Sequence, residues 1–74
     1  MSLGSRIASM RGYRQMTQEQ LGAEVGVAKQ TLSGWEHGSS KPNADYIRKL
    51  CQALGCTADY LLELADDPHD HVRW

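Results

Sequence analysis

The sequence predicts an all-α domain of five short helices around one small core, and three observations predict it. Apolar residues recur at helical spacing in each stretch between turn signals. Gly26, Gly38 and Gly55 stand just past such stretches, where helix C-termini favour glycine. Thr17, Asn43 and Thr57 stand just before such stretches, where a side-chain oxygen can cap the first turn. No segment reads as a strand, and there are no internal repeats or low-complexity tracts.

Length and composition bound the possibilities. A chain of 74 residues, 41% of them hydrophobic, holds one domain with a modest core. No apolar run approaches the roughly 18 residues of a membrane span. The opening MSLGSR lacks the apolar stretch of a signal peptide, so a cytoplasmic protein is expected. Net charge is −1, but it is unevenly spread. Residues 1–41 carry five Lys/Arg against three Asp/Glu, and residues 42–74 carry three against six. The first part is the one that could face a polyanion.

Leu3, Ile7 and Met10, at i, i+4 and i+7, predict a first helix over about 3–14. Gly12 inside it costs about 1 kcal/mol against alanine. Thr17 and Gln20 then have capping-box spacing, and Met16 can staple onto the helix that follows. Leu21 and Val25 share a face of that helix before Gly26 stops it. Val27 can plug the corner. A third helix runs over about 29–37, with Leu32 and Trp35 inward and Gly38 closing it. Two helices joined by a glycine turn form the helix-turn-helix signature.

After Gly38, SSKPN reads as a loop that Pro42 keeps from being helical. Asn43 caps a fourth helix with the stripe Tyr46, Ile47, Leu50, Cys51 and Leu54. Thr57 caps a fifth, ADYLLEL, with Asp59 in its first turn and Leu61, Leu62 and Leu64 as apolar residues. The domain spans 3–64, and 65–74 reads as a flexible C-terminal tail. Cys51 and Cys56 lack the spacing and partners of a zinc site and read as buried structural thiols. His69 and His71 form an H-x-H in the tail, too few ligands for a metal site. Trp74 reads as either a disordered end or an anchor on a partner subunit. No metal and no cofactor are expected.

The stretches MTQEQLGAEVGVAKQTLSGWEHG and KPNADYIRKLCQALGCTADYLL together resemble the phage-repressor and Cro-type helix-turn-helix family. The resemblance covers about residues 3–64 and implies a five-helix lambda-repressor-like DNA-binding domain. Ala28 stands where the family commonly has Ser or Thr as a cap, Gly22 where alanine is frequent, and Gly34 where longer side chains are usual.

The resemblance puts the 29–37 helix in the major groove, with base contacts at Lys29, Gln30, Ser33 and sometimes Gly34. Glutamine can pair with adenine N6 and N7, and lysine can donate to guanine O6 and N7. It puts a phosphate contact at Gln18, and Thr17 and Thr31 are candidates of the same kind. Ser39, Ser40 and Lys41 in the loop, and Asn43 at the next helix start, are further phosphate candidates. Arg6 and Arg14 read as solvated, with Arg6 a further phosphate candidate. An Arg11–Glu36 ion pair is implied as a structural feature. Each of these polar residues also suits an ordinary solvated helix face or cap.

The implied function is a sequence-specific transcriptional regulator, most simply a repressor, acting as a homodimer on palindromic duplex DNA. A relative within that class is an antitoxin with a toxin partner. The reading from another class is a protein-interaction module on the same fold. An enzyme is not expected, because no catalytic constellation or phosphate loop is present.

Overall fold

The computed structural model describes residues 2–64. The tail, with His69, His71 and Trp74, lies outside the described residues. The helices are α1 (Leu3–Tyr13), α2 (Gln18–Val25), α3 (Lys29–His37), α4 (Ala44–Leu54) and α5 (Ala58–Leu61). None is long and apolar enough to cross a membrane. The third helix packs on α1 and α2, while α4 packs on α1, α2 and α5. Ile7, Leu21, Leu32, Leu50, Leu54 and Leu61 meet at the centre with no exposed surface. Trp35 closes the core on one side, its ring centroid 5.2 Å from that of Tyr46.

The helix starts are fixed by side chains. Thr17 Oγ1 accepts from the Gln20 amide at 3.0 Å, and Gln20 Oε1 accepts from the Thr17 amide at 2.8 Å. This satisfies two donors that α2 itself cannot. Asn43 and Thr57 cap α4 and α5 by accepting from the Tyr46 and Tyr60 amides. Ser2 and Ser5 form a further reciprocal box at the start of α1. Ala28 offers no such bond, so α3 starts without a side-chain cap.

The helix ends share one turn. Each time, the amide that follows a left-handed residue, two or three residues past the helix end, bonds back to a carbonyl five residues earlier. These bonds run Met16 to Arg11, Val27 to Gly22, Ser39 to Gly34, Cys56 to Cys51 and Leu64 to Asp59, at 2.7–3.2 Å. The geometry requires a left-handed residue just before the donor. Gly26 supplies it at φ 84° between α2 and α3. Gln15 and Glu63 occupy the same place with φ 58° and 66°, despite carrying side chains. At Gly22 the turn folds back so closely that a Cβ would lie 2.7 Å from the Val27 carbonyl oxygen.

Four expectations from the sequence differ from the structure. The fifth helix is one turn long and ends at Leu61, because the left-handed Glu63 turns the chain. Its core residues are Tyr60 and Leu61, while Leu62 and Leu64 are about half exposed (46% and 52%). Arg6 is buried rather than solvated: its guanidinium donates to the Tyr60 carbonyl at 2.7 Å and lies over the Tyr60 ring. It thereby straps α5, too short to hold itself, onto α1. Arg14 is exposed but not merely solvated, since its Nε donates to the Leu54 carbonyl at the end of α4 at 2.8 Å. The two cysteines are free and only half-buried. They sit at the two ends of the turn that closes α4. Their mutual hydrogen bond holds Cys51 below the ordinary thiol value and, together with burial, pushes Cys56 above it.

One polar cluster ties the first three helices together. Arg11 of α1 donates to both carboxylate oxygens of Glu36 on α3, through Nε at 2.7 Å and Nη2 at 3.2 Å. Its Nη1 donates to the Met16 carbonyl at 2.9 Å. Gln18 at the start of α2 donates to Glu36 Oε1 at 2.9 Å. The Glu36 side chain is only 5% exposed and that of Arg11 23%. The bond to Glu36 raises the Arg11 pKa against the opposing effect of burial.

Two predictions follow from these features. Gln15→Gly removes the left-handed strain and raises stability by up to about 1 kcal/mol, whereas Gly26→Ala introduces it and costs about 1–2 kcal/mol. Urea midpoints at unchanged m-value report both, and a Gln15→Gly midpoint at or below the parent's would show that its side chain matters instead. Glu36→Ala leaves the part-buried Arg11 charge without its carboxylate and costs about 2 kcal/mol, while Arg11→Met combined with Glu36→Leu recovers most of that loss. Equal destabilisation of the single and double variants would show that Glu36 matters for packing rather than for charge.

Candidate nucleic-acid interface

Amphipathic α3 has a core side and an open side. Leu32 and Trp35 are buried, and Glu36 is turned into the polar cluster. Lys29, Gln30, Thr31 and His37 are exposed, and Ser33 and Gly34 are half-buried. Gln30, Ser33 and His37 follow at i, i+3 and i+7, which places them on one face. Lys29 and Gln30 lie in its first turn, where unpaired backbone amides add donors.

Donors gather at both ends of α3. At its start, Arg11, Thr17, Gln18 and Lys29 line an open hollow together with Gln15, Met16 and Glu19. Thr17 accepts the Gln20 amide, but its hydroxyl proton stays available to donate. Gln18 is half-buried, and one of its two amide protons is taken by Glu36. The Glu36 cluster thus fixes the side chain of Gln18 as well as the helix that carries it.

At the other end, the turn after Gly38 lays Ser39 and Ser40 against Gly34. The Gly34 carbonyl accepts from the Ser39 and Ser40 amides at 3.0 and 3.4 Å and from the Ser39 hydroxyl at 3.3 Å. A Cβ on Gly34 would lie 2.9 Å from Ser40 Oγ and 3.3 Å from Ser39 Oγ. Gly34 therefore offers no side chain to a ligand, and its small size lets the loop sit close. Lys41 follows in the loop, exposed, and Asn43 caps α4 with its oxygen while its amide protons remain available.

The two donor groups are one helix apart. Nine residues at 1.5 Å rise span about 13 Å, close to the roughly 12 Å width of the major groove. Of the five Lys and Arg in residues 1–41, Arg6, Arg11 and Arg14 are engaged within the fold. Lys29 and Lys41, one at each end of α3, are exposed and in no ion pair among the described residues.

His37 adds a polar residue to this face that the family pattern does not mark, although its i+4 spacing from Ser33 is visible in the sequence. Its Nδ1 lies 2.8 Å from the Ser33 carbonyl oxygen and 3.3 Å from Ser33 Oγ. Among the described residues no cluster of three or more metal-ligating side chains occurs.

The family model described as "Helix-turn-helix" matches residues 7–61. The chain is 36% identical over 68 residues to the Bacillus subtilis HTH-type transcriptional regulator YobD, covering 92% of this chain and 61% of that protein. It is 38% identical over 61 residues to repressor protein C2 of Salmonella phage P22, covering 82% of this chain and 28% of that one. The chain thus spans less than two thirds of either relative. The crystal structure of the P22 c2 repressor with a synthetic operator superposes with a TM-score of 0.82 at 36% identity, covering 85% of this chain and 96% of that one. The biofilm regulator SinR in complex with DNA gives 0.75 at 27% identity, covering 80% and 95%. The chain belongs to the Cro/C1-type helix-turn-helix family of DNA-binding transcription regulators.

Proposed function

We propose that the chain is a sequence-specific repressor that reads the major groove of a palindromic operator as a homodimer in the cytoplasm. The observation that carries this reading is the open face of α3, flanked at both ends by donors set about one groove width apart. Lys29, Gln30 and Ser33 present side chains to base edges. Gly34 keeps the following loop close rather than reading a base. Thr17, Gln18, Thr31, Ser39, Ser40, Lys41 and Asn43 supply phosphate donors, with Gln18 held for that role by Glu36.

A single α3 reads only a few base pairs, so a second copy one helical turn along the duplex is needed for a useful site. Leu62 and Leu64, half exposed beside α5, are the apolar residues that such a copy would cover. Their exposure favours this surface over the polar face of α3 for protein contact. It also keeps a second reading open, in which a toxin or regulator occupies the same leucines.

Selection on randomised duplex DNA tests the proposal. A palindrome is expected to be enriched, with affinity falling as salt rises. Gln30→Ala relaxes one base position in each half-site, at about 1–3 kcal/mol of discrimination. Lys41→Ala weakens all sequences alike and reduces the salt slope by about 1 per protomer. Failure of the folded protein to enrich any sequence would overturn specific binding. Leu62→Glu with Leu64→Glu is expected to abolish cooperative occupancy of two half-sites while leaving half-site binding intact, as read by gel shift. Unchanged cooperativity would remove this surface from the dimer.

A further inference from the structure

We propose that His37 is a phosphate contact at the far end of α3 and that its protonation strengthens DNA binding. The inference rests on the duplex-DNA reading above and assigns a role to a residue outside the contact set derived there. The Ser33 carbonyl can only accept, so the His37 Nδ1 at 2.8 Å from it carries the proton. That bond fixes the ring against α3 and leaves Nε2 on its opposite edge, where the exposed residue meets solvent.

In the neutral ring Nε2 presents a lone pair, which a phosphate oxygen repels. In the cation it presents an N–H, which a phosphate oxygen accepts. Position decides between base and backbone. Recognition helices contact base edges with their N-terminal residues, and His37 is the last residue of α3, at the edge of the groove.

The neighbouring charges are otherwise engaged or distant. From α1, Arg11 is bound to Glu36, and Arg6 to the Tyr60 carbonyl. From α2, Gln18 is bound to Glu36. Glu36 itself precedes His37 but is turned inward. Lys41 follows in the loop, and Lys29 lies at the opposite end of α3. None of these forms a hydrogen bond or ion pair with His37 among the described residues.

The test is a binding titration of the full chain on a mixed-sequence 30-base-pair duplex between pH 8 and pH 5.5, with His37→Ala and His37→Gln alongside. Mixed-sequence DNA suffices because phosphate contacts carry no sequence information. Wild-type affinity is expected to rise as pH falls, by up to about tenfold per protomer, the equivalent of one pKa unit of preferential protonation. Its salt slope at pH 5.5 should exceed that at pH 8 by about 0.9 per protomer. Both variants, whose folding circular dichroism verifies, should lose the two effects. The same pH dependence in all three proteins would overturn the assignment and trace the effect to His69, His71 or the N-terminus. Wild-type binding that does not change with pH would overturn it as well, whereas failure to bind either this duplex or any selected sequence at every pH would overturn the DNA reading and this one with it.

Discussion

The inward carboxylate of Glu36 is the constraint on which the rest of the molecule depends. It lies almost wholly out of water and accepts three hydrogen bonds, two from Arg11 and one from Gln18. Each donor comes from a different helix, so one residue of α3 registers it against both α1 and α2. Greasy contacts alone would not fix that register, because apolar packing is not directional. A buried ion pair adds little net stability over an apolar replacement, but breaking one partner is costly. The arrangement therefore favours geometry over stability. What it sets is the angle at which Lys29, Gln30 and Ser33 leave the domain, together with the position of Gln18 beside them.

The repeated helix-end turn is the second organising feature, and it reaches the interface directly. At Gly22 the turn brings Val27 back onto α2 and leaves only three residues between α2 and α3. At Gly34 it brings the serine loop onto α3 and places Lys41 beyond it. The same motif at Cys51 joins α4 to α5, while Arg14 takes a remaining carbonyl of α4. A domain this small has little core to orient its parts. Local turns with satisfied backbone groups perform much of that orientation instead, and the donors that flank α3 inherit their spacing from two of them.

What was legible in the sequence follows from the range of the interactions involved. Thr17 with Gln20, Asn43, Thr57 and the three closing glycines act within five residues, so spacing reveals them. Leu21, Leu32, Leu50 and Leu54 announce their burial through helical period. Arg6 was not legible: a charged residue on a helix reads as solvated unless its partner is known, and its partner is a backbone carbonyl 54 residues away. Gln15 and Glu63 were hidden because a left-handed turn is ordinarily marked by glycine, and these two side chains tolerate it under tertiary constraint. With no glycine to mark the turn at Glu63, apolar spacing alone carries the fifth helix on through Leu64, whereas the structure ends it at Leu61. On the interface, the open face of α3 was readable from Leu32 and Trp35 alone. The loop seated on Gly34 and the ring of His37 bound to Ser33 were not, since both depend on how the chain turns after Gly38.

Charge distribution then explains how a chain of net charge −1 can present a face to a polyanion. The fold withdraws Arg6, Arg11 and Arg14 into internal bonds and leaves Lys29 and Lys41 at the two ends of α3. Arg48 is paired with Asp45, and the Lys49 ammonium lies 5.2 Å from the Tyr46 ring centroid. The exposed surface beside α3 is therefore furnished mainly with neutral donors: hydroxyls, amides and helix-start N–H groups. Such donors orient a phosphate well but attract it weakly at a distance, because long-range steering scales with charge. A face of this kind discriminates by fit more than by bulk attraction. It also gains most from any additional proton, which is why one imidazole at the end of α3 can matter to a domain with two free lysines on that face.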